Sequence, residues 1–249
     1  MSGRDLCWDV EEACLNALPP VTLVVSRGWS WRLSGGSIRR MNCVNPLKGA
    51  RQDAVHAVEA AENFYRANDR AVVFRVPSIA DEMDAPLAAR GYEAGGETVT
   101  LAAGSLDVRS DGGELSAVAS AAWLAARQRI GGISDADQKI YGDMVVKIPQ
   151  PRMFASCIKG GEVVSLAYGV IGNGWLVLES VATDAAHRQQ GLGRQVVGGL
   201  MGWAKAEGAQ GACLQVVADN EPGLALYRSL GFDVELYRYH YRVKPAGAP

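Results

Sequence analysis

Val181-Ala-Thr-Asp-Ala-Ala-His-Arg-Gln-Gln-Gly-Leu-Gly-Arg194 is the stretch that organises the rest of the chain. The residues leading into it, Trp175 to Thr183 (WLVLESVAT), are apolar and β-branched and predict a strand. Asp184 to Gln190 is polar and predicts a loop. From Leu192 to Glu207 the apolar residues fall at helical spacing. Gly191 and Gly193 therefore stand where a helix begins. The first amides of a helix have no partner within it, and its dipole favours negative charge at that end. Glycines let a ligand approach the backbone without meeting β-carbons. Arg188 and Arg194 add positive charge beside them. This is the chemistry of a pyrophosphate cradle. It is not a Walker loop, which ends in Gly-Lys-Ser/Thr. Nor is it the dinucleotide fingerprint, whose glycine spacing differs.

Outward from the loop, the chain alternates strands and helices. Downstream come a strand at ACLQVV, a helix from Pro222 to Leu230 with proline in its first turn, Gly231-Phe232, and a strand pattern in DVELYRYHYRV. Upstream, RMFASCI and EVVSLAYGVIG predict strands, and Asn173-Gly174 predicts a tight hairpin turn. A long helix is expected from Glu114 to Arg129 and a second from Asp135 to Val146. Antiparallel strands followed by strand–helix–strand–helix–strand imply an α/β (α+β) fold on a mixed sheet.

A second motif lies at a fixed distance from the glycine loop. Asn220 precedes Tyr227 by seven residues, and Tyr227-Arg-Ser-Leu-Gly-Phe232 closes the segment. R-x-x-G-x-G (Arg188, Gly191, Gly193) together with NEPGLALYRSLGF resembles the GNAT N-acetyltransferase superfamily over about residues 114–245. The resemblance implies direct acetyl transfer from acetyl-CoA to a primary amine of a small molecule or peptide, with no metal. It places the pyrophosphate on the amides of Gln189, Gln190, Gly191, Leu192, Gly193 and Arg194. The acetyl and pantetheine would follow the strand edge at Val181, Ala182 and Thr183. Asn220 would contact the cofactor, and Tyr227 would sit near its sulfur as general acid.

One position departs from a pattern found in the family. Some protein N-terminal acetyltransferases carry a basic Glu five residues before the Asn, where this chain has Gln215. Glu179 is the substitute: strand alternation puts it on one face with Val181 and Thr183, in an apolar run that would raise its pKa. His187 reads as a surface residue, and Asp184 as a residue that orders the loop. Gln215 also supports the alternative of a non-catalytic acyl-CoA sensor on the same scaffold.

The first half of the chain looks like a worn copy of the second. Setting Gly91-Tyr92 on Gly231-Phe232 (231 − 91 = 140) lays the helix expected at 52–67 on 192–207 and the strand at 73–76 on 213–216. A hairpin is expected around Gly35-Gly36. Lys48 then stands at Arg188, Arg51 at Gly191, Asp53 at Gly193, Ala80 at Asn220 and Leu87 at Tyr227. The expected organisation is a degenerate GNAT-like domain over 1–104 and a catalytic one over 105–249, with a turn at Asp111-Gly112-Gly113 near the boundary.

Composition narrows the setting. The 249 residues are 48% apolar and 21% charged, with 25 Lys+Arg against 27 Asp+Glu. That is a globular balance with no field to draw nucleic acid. Five scattered cysteines without a CxxC pair imply reduced thiols rather than a disulfide framework or a zinc site. No stretch has the pattern of a signal peptide or a membrane span, so the expectation is a cytoplasmic protein with no membrane partner.

Overall fold

The computed structural model describes residues 3–108 and 112–244. Asp111, part of the expected turn, lies outside the described residues. The chain divides into two compact units. One takes Met1–Pro19 and Thr100–Leu236, the other Pro20–Val99 and Tyr237–Pro249. The division near residue 100 is close to the expected boundary, but each unit also takes an end of the chain from the other side of it. A single cut at residue 104 does not describe this.

In the first unit, β6 (Glu114–Ser116), β7 (Arg152–Lys159), β8 (Glu162–Gly172) and β9 (Trp175–Thr183) form an antiparallel ladder. Helix α6 (Leu192–Ala206) then crosses to β10 (Gly211–Val217), which runs parallel to β9. Beyond β10 lies the Thr100–Ala103 end of β5 (Glu93–Ala103). Helix α7 (Glu221–Ser229) follows β10. Successive strand residues point to opposite faces, and Tyr168 and Gly169 show what covers each. Tyr168 meets Trp123 of α4 (Ala121–Gly131) and Tyr141 of α5 (Asp135–Val145), and its hydroxyl donates to the carbonyl of Ala17 at the end of α1 (Gly3–Ala17), 2.9 Å away. A β-carbon at Gly169 would meet Leu200 and Trp203 of α6. Helix α6 buries Leu192, Val196, Val197, Leu200, Met201 and Ala204, and each large apolar side chain so buried stabilises by about 1.5–3 kcal/mol.

The second unit repeats the plan in smaller form. Strands β1 (Thr22–Ser26), β2 (Trp29–Leu33) and β3 (Val44–Pro46) are antiparallel; α2 (Ala54–Ala67) crosses to β4 (Val73–Pro77), parallel to β3. Helix α3 (Asp84–Ala89) and β5 follow, and β11 (Val234–Val243) pairs antiparallel with β4. Trp29, Tyr65, Phe74, Leu87 and Tyr92 form its core.

Two local expectations are corrected. The tight hairpin turns at Arg27-Gly28, both at positive φ (48° and 87°), the geometry that joins two strands without splaying them. Gly35-Gly36 lies instead in the longer connection from β2 to β3. No helix starts at Glu114: Glu114–Ser116 pairs with Phe154–Ser156 as β6, and α4 starts after Ser120, whose side chain accepts from the Trp123 amide. The five cysteines are buried free thiols. Among the described residues no helix is long and apolar enough to cross a membrane.

Candidate active site

The site is built where β9 hands over to α6. Strands β9 and β10 stay in register from Trp175↔Gly211 to Leu178↔Leu214. The rest of β9, Glu179 to Thr183, remains paired with β8, but its register shifts between Leu166↔Ala182 and Tyr168↔Glu179. Three steps along β9 thus match two along β8, which is a bulge, and Ser180 in it has φ +53°. This overturns the expected alternation. Glu179 faces the same side as Tyr168, toward α4 and α5, whereas Thr183 falls on the α6 side, where its Oγ1 stands 3.6 Å from a β-carbon placed on Gly193. Glu179 does not share a face with Val181 and Thr183.

The loop beyond is held by its own side chains. The Asp184 carboxylate accepts from the Ala186 amide (3.0 Å) and pairs with Arg129, which also donates to the Val163 carbonyl (2.8 Å). The amide bond first and Arg129 second hold the Asp184 carboxyl below the usual carboxylate range. Gln189 and Gly191 both take positive φ, 59° and 76°. Helix α6 opens on Gly191, and among the described residues no side chain accepts from the amides of Gly191, Leu192, Gly193 or Arg194.

These amides face a cleft of about 700 Å³. All the expected site residues line it except Glu179 and Gln190. Gln190 turns away, its Oε1 accepting from Lys159 Nζ (2.6 Å). The sequence did not single out Ile130 of α4, nor Pro222, Gly223 and Leu226, as wall residues. His187, expected only at the surface, also lines the cleft. A β-carbon at Gly191 would meet nothing within 4 Å, so the cradle is open. A pyrophosphate fits this donor set: unsatisfied amides at a helix N-terminus beside the exposed Arg188. Arg194 has a second task, donating to the carbonyl of Ser229 (2.8 Å) and so tying α6 to the end of α7. Asn220 caps α7, its Oδ1 accepting from the Gly223 amide (3.1 Å).

Tyr227 reaches the cleft from α7 and is 8% exposed. Among the described residues nothing hydrogen-bonds its hydroxyl. Burial, with the nearby Glu179 charge adding to it, pushes its pKa up to about 12. Glu179 is 7% exposed and lies behind the cleft wall, close enough for its charge to act on Tyr227, Tyr141 and Cys14. The Tyr141 hydroxyl and Ser180 Oγ are 2.8 Å apart.

The equivalent loop of the second unit is closed. The Leu47 amide bonds the Gly28 carbonyl and the Gln52 amide that of Arg27, both 2.9 Å. Arg51, at the position of Gly191, pairs with Glu82 and donates to the carbonyls of Leu47 (2.7 Å) and Gly49 (3.1 Å). Asp53 caps α2 through the Val55 and His56 amides.

Fold and cleft together are those of a GNAT-type acetyltransferase. The chain belongs to the family described as "Probable histone acetyltransferase Rv0428c C-terminal", whose model matches residues 7–242. It is 26% identical over 192 residues to a protein of Bacillus subtilis (strain 168) called an uncharacterized N-acetyltransferase, YobR, covering 74% of this chain and 77% of that one. The fold is shared with a GCN5-related N-acetyltransferase from Kribbella flavida (TM-score 0.67, 18% identity, 98% of this chain and 96% of that one). It is also shared with a tandem GNAT protein from the clavulanic acid biosynthesis pathway (TM-score 0.58, 14% identity, 83% and 74% covered).

Proposed function

We propose that the chain moves an acetyl group from acetyl-CoA directly to a primary amine of a small molecule or peptide, at a single site within residues 105–249. The observation that carries this reading is the convergence of three features on one cleft: the uncapped α6 amides, the β9 edge at Val181–Thr183, and Tyr227. Acetyl-CoA supplies an activated acyl group on a thiol leaving group. The amides from Gln189 to Arg194, with Arg188, hold its pyrophosphate, and Asn220 helps orient it. Main-chain groups of Val181, Ala182 and Thr183 align the thioester and polarise its carbonyl.

The proton balance assigns the rest. An alkylammonium, with a pKa of roughly 10, must lose two protons in becoming the amide, and the departing sulfur must gain one. Tyr227, at about 12, stays protonated at neutral pH and donates to the sulfur. A thiol of ordinary pKa, about 8.5, is the stronger acid, so this donation is coupled to regain of the amine's proton by the phenol. Of the ammonium's two protons, Glu179, one layer behind, takes the first through water as the free amine forms, and the phenol regains the second from the attacked nitrogen. The unit holding Pro20–Val99 supplies a degenerate copy whose Gln52 amide and Arg51 side chain are already engaged, and it binds no CoA. The buried thiols suit a reducing compartment such as the cytoplasm.

The test is release of CoA thiol from acetyl-CoA with a panel of primary amines. Release that depends on an amine supports transfer. Acetyl-CoA binding without release from any amine would favour the sensor reading, to which Gln215 points.

A further inference from the structure

The bulge in β9 is held from outside the strand. Ser180 occupies the left-handed region (φ +53°) in a strand interior, a conformation a non-glycine residue keeps only where its surroundings over-determine it. Its Oγ lies 2.8 Å from the hydroxyl of Tyr141 on α5. That hydroxyl is itself fixed. Tyr141 is 1% exposed, its ring lies under the Arg127 guanidinium (3.3 Å to the centroid) and meets Tyr168 at a steep angle (77°). Tyr168 is anchored in turn by its bond to the Ala17 carbonyl.

The bulge decides which way the end of β9 faces. Because β-strand alternation has a period of two, loss of one residue from a strand reverses every side chain beyond it. With the extra residue at Ser180, Ala182 falls opposite Leu166 and Thr183 opposite Ser165, where Thr183 Oγ1 and Ser165 Oγ are 2.9 Å apart at the foot of the α6 cradle. Without it, Val181 and Thr183 would turn to the Glu179 side and the cleft would lose this wall.

We propose that Tyr141, which does not line the cleft, is a positioning residue: its hydroxyl holds Ser180 in the left-handed conformation and so sets the β9 edge against which the acyl donor binds. The claim about ligand rests on the acetyl-CoA reading above; the claim about the strand does not.

The test is a rescue. Tyr141→Phe keeps the ring and removes the hydroxyl; Ser180→Ala removes the other half of the bond. Each should weaken acetyl-CoA binding, measured by calorimetry, by about tenfold, the size of one lost hydrogen bond. Glycine adopts positive φ without help, so Ser180→Gly in the Tyr141→Phe background should restore binding to near wild type. A merely structural loss would not be repaired by removing a side chain. Hydrogen exchange of the Val181–Thr183 amides in the unliganded protein reads the same device without ligand: about tenfold faster in Tyr141→Phe, slow again in the double variant. Exchange and binding unchanged in Tyr141→Phe, or no rescue by glycine, would overturn the proposal. If the wild type binds no acetyl-CoA, the exchange series still decides the strand claim while the functional reading alone fails.

Discussion

A β-carbon placed on Gly193 would stand 3.2 Å from Cδ2 of Leu226. The first turn of α6 and the middle of α7 are therefore in van der Waals contact across one wall of the cleft, with only a hydrogen atom's room between them. Gly193→Ala should push Leu226 away by a few tenths of an ångström and weaken acetyl-CoA binding by about fivefold, since small misplacements at such sites are costly.

Gly202 in the same helix is the contrast. It is exposed and a β-carbon there meets nothing within 4 Å. Gly202→Ala should stabilise the protein by about 0.5–1 kcal/mol through helix propensity, raising Tm by about 1–4 °C for a chain of this size. Binding of acetyl-CoA should not change. Calorimetric scans and titrations of the two variants separate the roles of the two glycines.

Removing the phenol hydroxyl tests the proposed acid. Tyr227→Phe should lower kcat about 10²-fold with little change in acetyl-CoA affinity; unchanged turnover would remove Tyr227 from the chemistry. Burial raises both Tyr227 and Tyr141 to about 12 from an ordinary 10. A group raised on folding contributes stability that is complete below its unfolded pKa. Denaturant unfolding should therefore show stability constant up to about pH 10 and falling from there to about pH 12.

Glu179→Gln keeps the size of the side chain and removes its charge. If Glu179 accepts the amine proton, kcat should fall about 10²-fold while acetyl-CoA still binds. A Glu179→Gln enzyme with wild-type turnover across the pH range would end that assignment.

The parts of this molecule written in local sequence were legible before the fold was known. The Gly191–Gly193 start of α6, the Asn173-Gly174 turn and the apolar stripe of α6 each depend on residues a few positions apart. What the sequence hid depends on partners far away. That Val181 and Thr183 face away from the Glu179 side follows from a bulge at Ser180, whose partner Tyr141 is 39 residues away, and strand alternation carries no trace of it. Glu114–Ser116 is a strand only because β7 lies beside it, and local periodicity favours a helix there. Helix α1 belongs with the unit of residues 100–236 through contacts such as Tyr168 to Ala17, which no boundary signal in the chain announces. The closed state of the first loop was readable in part: Arg51 and Asp53 stand where glycines would be needed, but the pairing with Glu82 required the fold.

The proposed function requires one acetyl-CoA per chain, held at the N-terminus of α6. Calorimetric titration of the wild type beside an Arg188→Glu, Gly191→Glu double variant tests it most directly. Binding at one molecule per chain is expected, abolished in the variant, whose two carboxylates would oppose the pyrophosphate in an open cradle. Two molecules per chain, no binding, or binding undiminished in the variant would contradict it.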